Sequence, residues 1–568
     1  EVGADDVREV PEGLLASLPQ ALGDIYAHHL DALLDRLESP RRAIDGLSQL
    51  AWIGRGLSQR VLRWAMEGSG VAPEVLLRQG WLSRHASAWE ASYGFTSEAM
   101  RQVLTERSRA SGASAEHLTQ GLELLLRDSL EAMIRSDWEG ALSSLRRAWR
   151  LNHRHAAPRR GDLRQRILIG TALVHYRQRD ADGVQGVAVQ LEAVAAEPDE
   201  DRDALLPSIQ LWRGAAAVLL AEQDRAEALL SDAVALAARN RDPLVEGFGL
   251  QFRGQLRLMR GDIDRARKDL KRATRSLQRA WKRTTSRYVR DLVRLTEADV
   301  LRDKAEAHSR EQRPEQALEL LERALRLHQA MGDLHGQAYA SLHQARILRR
   351  AVEAGQTLTT EIRDRIDRQL REAAALMDQL NDNRGRALLT WERASTFELE
   401  QRFDEAQATF RAAALTFTAA RDPFGEALCV NSQGEAARRL GRSAEALSCY
   451  RRFLDAMTAM HNAQGQALAH VNTGWVHLAD ADLDQAHAAF SAATAIEGAP
   501  DPEIPLIGLA AVAARRDQPT EATRHLHDAR AAQNGPITDP DALAVLQELA
   551  EAVDEAVAVA AEALMGSA

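Results

Sequence analysis

The sequence predicts an all-α fold of tandem helical hairpins, and three observations carry that prediction. One pattern is written almost three times. Asp382-Asn-Arg-Gly385-Arg-Ala387, Asp422-Pro-Phe-Gly425-Glu-Ala427 and Asn462-Ala-Gln-Gly465-Gln-Ala467 are separated by 425−385 = 40 and 465−425 = 40 residues. A second signature keeps the same period: Ala406/Phe410/Ala413, Ala446/Tyr450/Phe453 and Ala486/Phe490/Ala493. A small residue, Ala394, Gly434 or Gly474, stands 406−394 = 12 positions before each first alanine. Composition is the third observation, since Ala, Leu, Arg and Glu dominate and β-branched runs are scarce. Each unit therefore reads as two helices. The small residue of the first is expected to face the alanine of the second, so that the backbones approach, while the aromatic fills the gap towards the next hairpin. Such a period describes a solenoid in which each hairpin buries its apolar face only against its neighbours.

In chain order, residues 1–110 lack the repeat. Leu18-Pro19 precedes an amphipathic run with Ile25, Leu30, Leu33, Leu34 and Leu37, and Ser39-Pro40 opens the next helix as cap and first-turn proline. Ser58 caps a helix carrying Val61, Leu62 and Ala65, and Pro73 starts a short one. Trp81-Leu82 and Tyr93-Gly-Phe95 then flank a polar turn, which suits a small β-hairpin, before a helix with Ala99, Val103 and Leu104. Helices followed by a two-stranded wing describe a winged-helix domain. Ser111-Gly-Ala-Ser114 reads as a linker. Residues 116–535 accommodate about ten hairpins, with weaker copies at Ala141/Leu145/Ala148, Gly214/Ala226, Gly254/Ala266, Ala305/Ala317 and Ala522/Leu526/Ala529. Asp539-Pro540 caps one closing helix over 539–565, with Leu543, Leu546, Leu549, Val553, Val557 and Leu564 in a stripe.

The repeat residues resemble the tetratricopeptide repeat in its longer-helix, roughly 40-residue form, with a Gly-Asp-x-x-Gly turn at Gly332-Asp333-Leu-His-Gly336. That resemblance implies a right-handed superhelical solenoid whose first helices line an inner wall holding a protein or peptide. The order Leu18 to Tyr26, then helices, then Trp81-Leu82 with Tyr93-x-Phe95 resembles the segment after the nucleotide-binding domain of STAND-type signalling ATPases, a class that includes bacterial relatives of NLR immune receptors. It implies a ligand-sensing and regulatory region that relays binding through the winged helix to ATPase and effector domains of the same polypeptide, with a ligand-induced oligomer as one outcome. Many members of the class place a histidine after the wing strand to sense nucleotide phosphate, whereas this chain has Thr96-Ser97, so no nucleotide contact is carried over. A start at Glu1 rather than methionine fits a piece of a longer protein. The alternatives are a free-standing scaffold for protein–protein interaction and a regulator of transcription. For the latter, the helix from Gln59 to Glu67 offers only Arg60 and Arg63 as cations for phosphate contact.

A net charge of 72−82 = −10 argues against a nucleic-acid coat. The two cysteines, Cys429 and Cys449, read as buried small hydrophobes, and a cytoplasmic location fits. The sequence has no run of 18 apolar residues, so no membrane partner is expected. Chemistry finds no constellation. There is no Gly-Lys pair for a phosphate loop, no His-Glu-x-x-His, no Cys-x-x-Cys and no Gly-x-Ser-x-Gly, so no enzyme activity, metal or cofactor is assigned to this chain. Close histidine pairs at His28/His29, His153/His155 and His525/His527 do not share a helix face.

Two surfaces stand out as candidates. From Arg253 to Arg294 there are 15 basic and four acidic residues, a local 15−4 = +11. Ala266, Leu270, Ala273 and Leu277 face one way on a helix there, and Lys268, Arg272, Arg275, Arg279 and Lys282 face the other. This is a docking surface for an acidic protein, nucleic acid or another part of the polypeptide, or else a solvated face balanced by acidic neighbours. Nucleic acid is the weaker option, since Trp281 and Tyr288 are as readily core as base-stacking residues. On the inner wall the candidate ligand-binding residues are Trp391, Asn431, Glu435, Arg438 and Trp475. The tryptophans act there as exposed anchors or as hairpin packing.

Overall fold

A computed structural model describes residues 24–35, 37, 39–53, 57–69, 71–85, 92–107, 115–154, 160–198, 200–220, 222–496, 501–533, 537, 539–551 and 554–565. The run from Leu18 to Gly23, the Ser111–Ser114 linker and Val553 of the closing stripe lie outside the described residues. The fold is all-α, with helical hairpins in tandem. Among the described residues the strands are β1 (Leu82–His85) and β2 (Ser92–Phe95), antiparallel, with Leu82 opposite Phe95 and His85 opposite Ser92. The chain divides into two units, Glu1–Ala307 with Arg323–Asp333, and His308–Glu322 with Leu334–Ala568.

The first unit opens with helices at 24–34, Pro40–Ile53, Gln59–Ala65 and Pro73–Arg78, then β1 and β2, then Glu98–Arg107. Ser58 caps its helix by accepting from the Val61 N–H at 3.3 Å, and Leu57 bridges to Tyr93 beside the hairpin. This region has no core of its own. One apolar cluster runs from Leu30 through Trp64 and on through the hairpins to Ala307. Trp64 lies so close to Gly121 that a Cβ there would stand 2.3 Å from the indole, and Arg60 donates to Glu131 at 2.8 Å. Four hairpins follow: Ala115–Ile134 with Trp138–Arg154, Arg160–Arg177 with Ala181–Ala195, Arg202–Leu219 with Gln223–Arg239, and Pro243–Met259 with Ile263–Arg283. The last helix is divided as its sequence pattern requires. Ala266, Leu270, Ala273 and Leu277 are buried, while Lys268, Arg272, Arg275, Arg279 and Lys282 are exposed.

The second unit holds Leu334–Glu353 with Thr360–Gln379, Asn383–Leu399 with Phe403–Ala419, Pro423–Arg439 with Ser443–Ala459, Ala463–Ala479 with Leu483–Thr494, and Glu503–Arg515 with Pro519–Ala532. The Asp/Asn-x-x-Gly signature that marks these hairpins has a double cause. Asp382, Asp422 and Asn462 cap the first helices by accepting from the N–H groups of Gly385, Gly425 and Gly465 at 2.8, 3.0 and 2.8 Å. The same three capping residues donate their own N–H to the carbonyls of Met377, Phe417 and Met457, so each turn closes the preceding helix as well. The glycine leaves room for that preceding residue, since a Cβ at Gly425 would lie 2.4 Å from Phe417 and one at Gly465 would lie 2.2 Å from Met457.

Two expectations are corrected. At Gly434 and Gly474 the small residue of the first helix faces the aromatic four positions beyond the alanine, whereas Ala394 shares a cluster with both Ala406 and Phe410. A Cβ at Gly434 would stand 2.7 Å from Tyr450, and one at Gly474 would stand 2.6 Å from Phe490. The ring needs the space more than the alanine does. The closing segment is two helices, Pro540–Ala550 and Glu555–Met565, and not one. Asp554 starts the second by accepting from the N–H groups of Ala556 and Val557 at 3.0 and 3.2 Å. Folding back lets Leu546, Leu549, Val557 and Leu564 enter one cluster with Trp475 and Phe490.

Candidate functional site

In the second unit the first helices of successive hairpins are joined by polar side chains. Glu392, 1 % exposed, lies between Arg346 and Arg349 of the preceding first helix; Arg349 Nε donates to it at 3.0 Å and Arg346 is closer still. Burial acts to raise the Glu392 carboxyl, and the two guanidinium groups overcome it, holding the group below the usual carboxylate range. Asn472 Nδ2 donates to Asn431 Oδ1 at 3.0 Å, which joins the next two first helices. One position of the repeat changes sign between two units: Glu398 and Arg438 stand 438−398 = 40 residues apart. Burial, with Glu435 and Glu353 beside it, pushes the Glu398 carboxyl up to about 8.

The sequence-predicted wall residues fall in three environments. Asn431, Glu435 and Arg438 belong to the polar layer. Arg438 donates to Glu435 at 2.6 Å and to Asp541 Oδ2 at 2.7 Å, so it clasps the first closing helix, and Tyr450 donates its hydroxyl to Glu435 at 3.1 Å. Trp391 is half-buried, its ring 6.4 Å from Phe410, with the guanidinium groups of Arg349 and Arg346 over its face at 5.5 and 6.0 Å. Trp475 is 4 % exposed and meets Phe490 edge-on at 4.8 Å, so the expectation of an exposed anchor fails there. An indole at that position gains more from the closing cluster than from solvent. Arg346, Arg349, Glu392, Glu398 and Asp541 were not among the predicted wall residues. The 40-residue spacing of Glu398 and Arg438 was the available signal for one of them.

The first unit carries a comparable layer. Gln251 donates to Asp303 at 2.7 Å, Arg302 to Asp299 at 2.8 Å, and the Tyr176 hydroxyl to Gln255 at 3.0 Å.

The predicted basic surface is present but unevenly engaged. Arg279 donates to Glu246 at 2.8 Å and Arg272 lies 3.8 Å from it, so part of the stripe is a balanced face, as the solvated reading required. Arg272 also lines, with Lys268 and Arg275, a cleft of about 460 Å³ completed by Lys271, Arg265, Arg253, Arg257 and Asp269. Trp281 is covered by Arg294 and Arg290, at 4.8 and 5.8 Å, and Tyr288 is 2 % exposed, so neither offers a ring for stacking. Among the described residues no group of three His, Cys, Asp or Glu is placed to hold a metal ion, and no helix is long and apolar enough to cross a membrane.

These features define a tetratricopeptide-type helical-repeat protein. No protein-family model and no curated protein matches the chain. Among solved structures, it is similar to a Rap protein complexed with competence and sporulation factor (TM-score 0.47, 16% identity, 65% of this chain and 96% of that one). It is also similar to a STAND protein with a tetratricopeptide repeat sensor from Pyrococcus horikoshii (TM-score 0.40, 11% identity, 88% and 64%) and to yeast Tom70 (TM-score 0.35, 13% identity, 78% and 96%).

Proposed function

We propose that this chain is the ligand-sensing and regulatory region of a STAND-like signalling ATPase. The first-helix layer of the second unit captures a protein or peptide, and the helices and β-hairpin of residues 40–107 act as a winged helix that relays the event to an ATPase part. The reading gives the chain no reaction of its own. The observation that carries it is the row of half-buried polar side chains on consecutive first helices, Arg346, Glu398, Asn431, Glu435 and Arg438. Such groups gain little by burial and much by meeting polar backbone and side chains of a ligand. A random peptide library displayed against the chain tests it. Enriched peptides should lose binding to the variant combining Glu398→Gln with Asn431→Ala; peptides that bind both proteins equally overturn the assignment of this face. The relay is tested separately by hydrogen exchange with and without an enriched peptide: protection in Gln59–Ala65 and Glu98–Arg107 should change, and unchanged protection there overturns the relay.

A free-standing scaffold is the second reading, favoured by one feature. The region before residue 110 shares its core with the hairpins through Trp64 and Gly121, whereas a relay module that moves needs a separable interface.

A further inference from the structure

The cleft between Pro243–Met259 and Ile263–Arg283 is lined by seven cations and one carboxylate, a local charge of 7−1 = +6. Its floor is built. Arg253 donates to both oxygens of Asp269, at 2.7 and 2.8 Å, and to Ser231 Oγ at 3.1 Å. Arg257 donates to Asp269 at 2.8 Å and to Glu227 at 2.6 and 3.2 Å. These two guanidinium groups are each held by three hydrogen bonds to the protein, which fixes their positive charge at the base of the cleft. The mouth differs. Lys268, Lys271 and Arg275 are exposed and have no ion-pair or hydrogen-bond partner among the described residues, while Arg265 and Arg272 reach carboxylates only at 3.4 and 3.8 Å. Lys268, Lys271, Arg272 and Arg275 stand at i, i+3, i+4 and i+7 on one helix face, with Arg265 a turn before them, and like charges so placed destabilise the helix until something neutralises them.

Residue choice narrows the ligand. Of 72 basic residues in the chain four are lysine, Lys268, Lys271, Lys282 and Lys304, and two of these line the cleft. Lys304 lies next to them, donating to Thr274 at 2.6 Å; burial, with Arg323 and Lys271 near, holds its ammonium below the usual lysine range. The cations left without a partner are two ammonium groups, Lys268 and Lys271, and one guanidinium fork, Arg275, a mixed set that matches the several oxygens of a phosphate as well as its charge. A phosphate group brings about −1.5 to −2 where a carboxylate brings −1, so about three or four phosphates match the charge of this cleft. Base stacking is unsupported, because Trp281 is covered and Tyr288 is buried.

We propose that this cleft is a binding site for a compact compound bearing two or more phosphate groups, with Lys268, Lys271 and Arg275 as its direct contacts. The site is separate from the first-helix layer of the second unit and stands whether or not that layer binds peptide.

The test is isothermal titration of the full chain with inorganic tripolyphosphate at fixed ionic strength, beside sulfate, poly-glutamate and a single-stranded oligonucleotide. The expected result is one saturable tripolyphosphate site, weakened about tenfold or more by K268Q/K271Q and unchanged by R239Q on a neighbouring helix. Thermal unfolding should show the K268Q/K271Q chain at least as stable as the parent without ligand, since two like charges have gone. Three results overturn the proposal: no saturable site, a tripolyphosphate site indifferent to K268Q/K271Q, or tighter and equally lysine-dependent binding of poly-glutamate or oligonucleotide, which assigns the cleft to an acidic protein or a nucleic acid.

Discussion

Phe490 gives the sharpest test of how the hairpins stack. Its ring is fully buried, and it is enclosed from two sides by backbone lacking side chains. A Cβ on Gly474, in the first helix of the same hairpin, would stand 2.6 Å from Cε1, and a Cβ on Gly508, in the first helix of the next, would stand 2.5 Å from Cε1 and Cζ. Trp475 meets the ring edge-on and closes a third side. Gly474→Ala sets two effects against each other. Helix propensity favours alanine by about 1 kcal/mol, and overpacking a core with no free direction costs about 1–3 kcal/mol. Here the ring has nowhere to turn, so the net is a loss of roughly 1–2 kcal/mol. Trimming the ring should reverse the sign. In a Phe490→Leu background, Gly474→Ala is expected to be neutral or stabilising, a coupling of about 1–3 kcal/mol between residues in contact. A repeat array opens unevenly, so the readout is native-state hydrogen exchange of amides in Ala463–Ala479 and Glu503–Arg515 rather than a single melting temperature. If Gly474→Ala stabilises the parent protein, or costs the same in both backgrounds, the aromatic wedge is not what holds these hairpins in register.

Three further outcomes follow from the polar layer. Glu392→Ala should cost about 1–3 kcal/mol, because it removes the carboxylate shared by Arg346 and Arg349 and leaves the buried Arg349 only Glu353; urea unfolding monitored by circular dichroism checks it. Because the Glu392 carboxyl is held low in the folded protein, its contribution is present above the ordinary carboxylate range and lost on acidification through its folded value. Glu398 has the opposite sign. Its folded value of about 8 lies above that of the unfolded chain, so the native state holds the extra proton and stability falls as pH rises from the usual glutamate range towards 8. Glu398→Gln should therefore stabilise the second unit at pH 9 and do little at pH 4, measured by thermal unfolding at both. Asp541→Asn should loosen the closing helices by about 1–3 kcal/mol, seen as faster hydrogen exchange in Pro540–Ala550 and Glu555–Met565; unchanged exchange there removes the Arg438 clasp as a structural element.

What the sequence made legible was whatever repeats at short range. The Asp/Asn-x-x-Gly caps, the divided face of Ile263–Arg283 and the strand pair around residues 82–95 are each settled within about twenty residues, so pattern alone places them. The contacts that assemble the layer are a hairpin or more apart. Glu392 meets Arg346 and Arg349 across 46 and 43 residues, and Arg438 meets Asp541 across 103. Nothing in the local period announces them. Trp475 was ambiguous because its position in the repeat is held by Ser395 and Glu435 in earlier units, and its burial comes from the cluster that it joins with Phe490 and the helices that follow.

The layer also constrains how any ligand can use it. Arg438 is shared between Glu435 in its own helix and Asp541 in the first closing helix, and Glu392 is fully engaged by two arginines. A ligand carboxylate that takes Arg438 gains one charge-assisted contact and releases another of nearly equal quality, so that position adds little net affinity. It adds linkage instead. Occupying Arg438 lowers the free energy of detaching the closing helices, and by reciprocity whatever detaches them raises affinity at Arg438 by the same factor. Glu398 and Asn431 carry no such competing tie to the closing helices. Affinity is therefore expected to reside at those two positions and coupling at Arg438, a division that peptide binding and hydrogen exchange read independently.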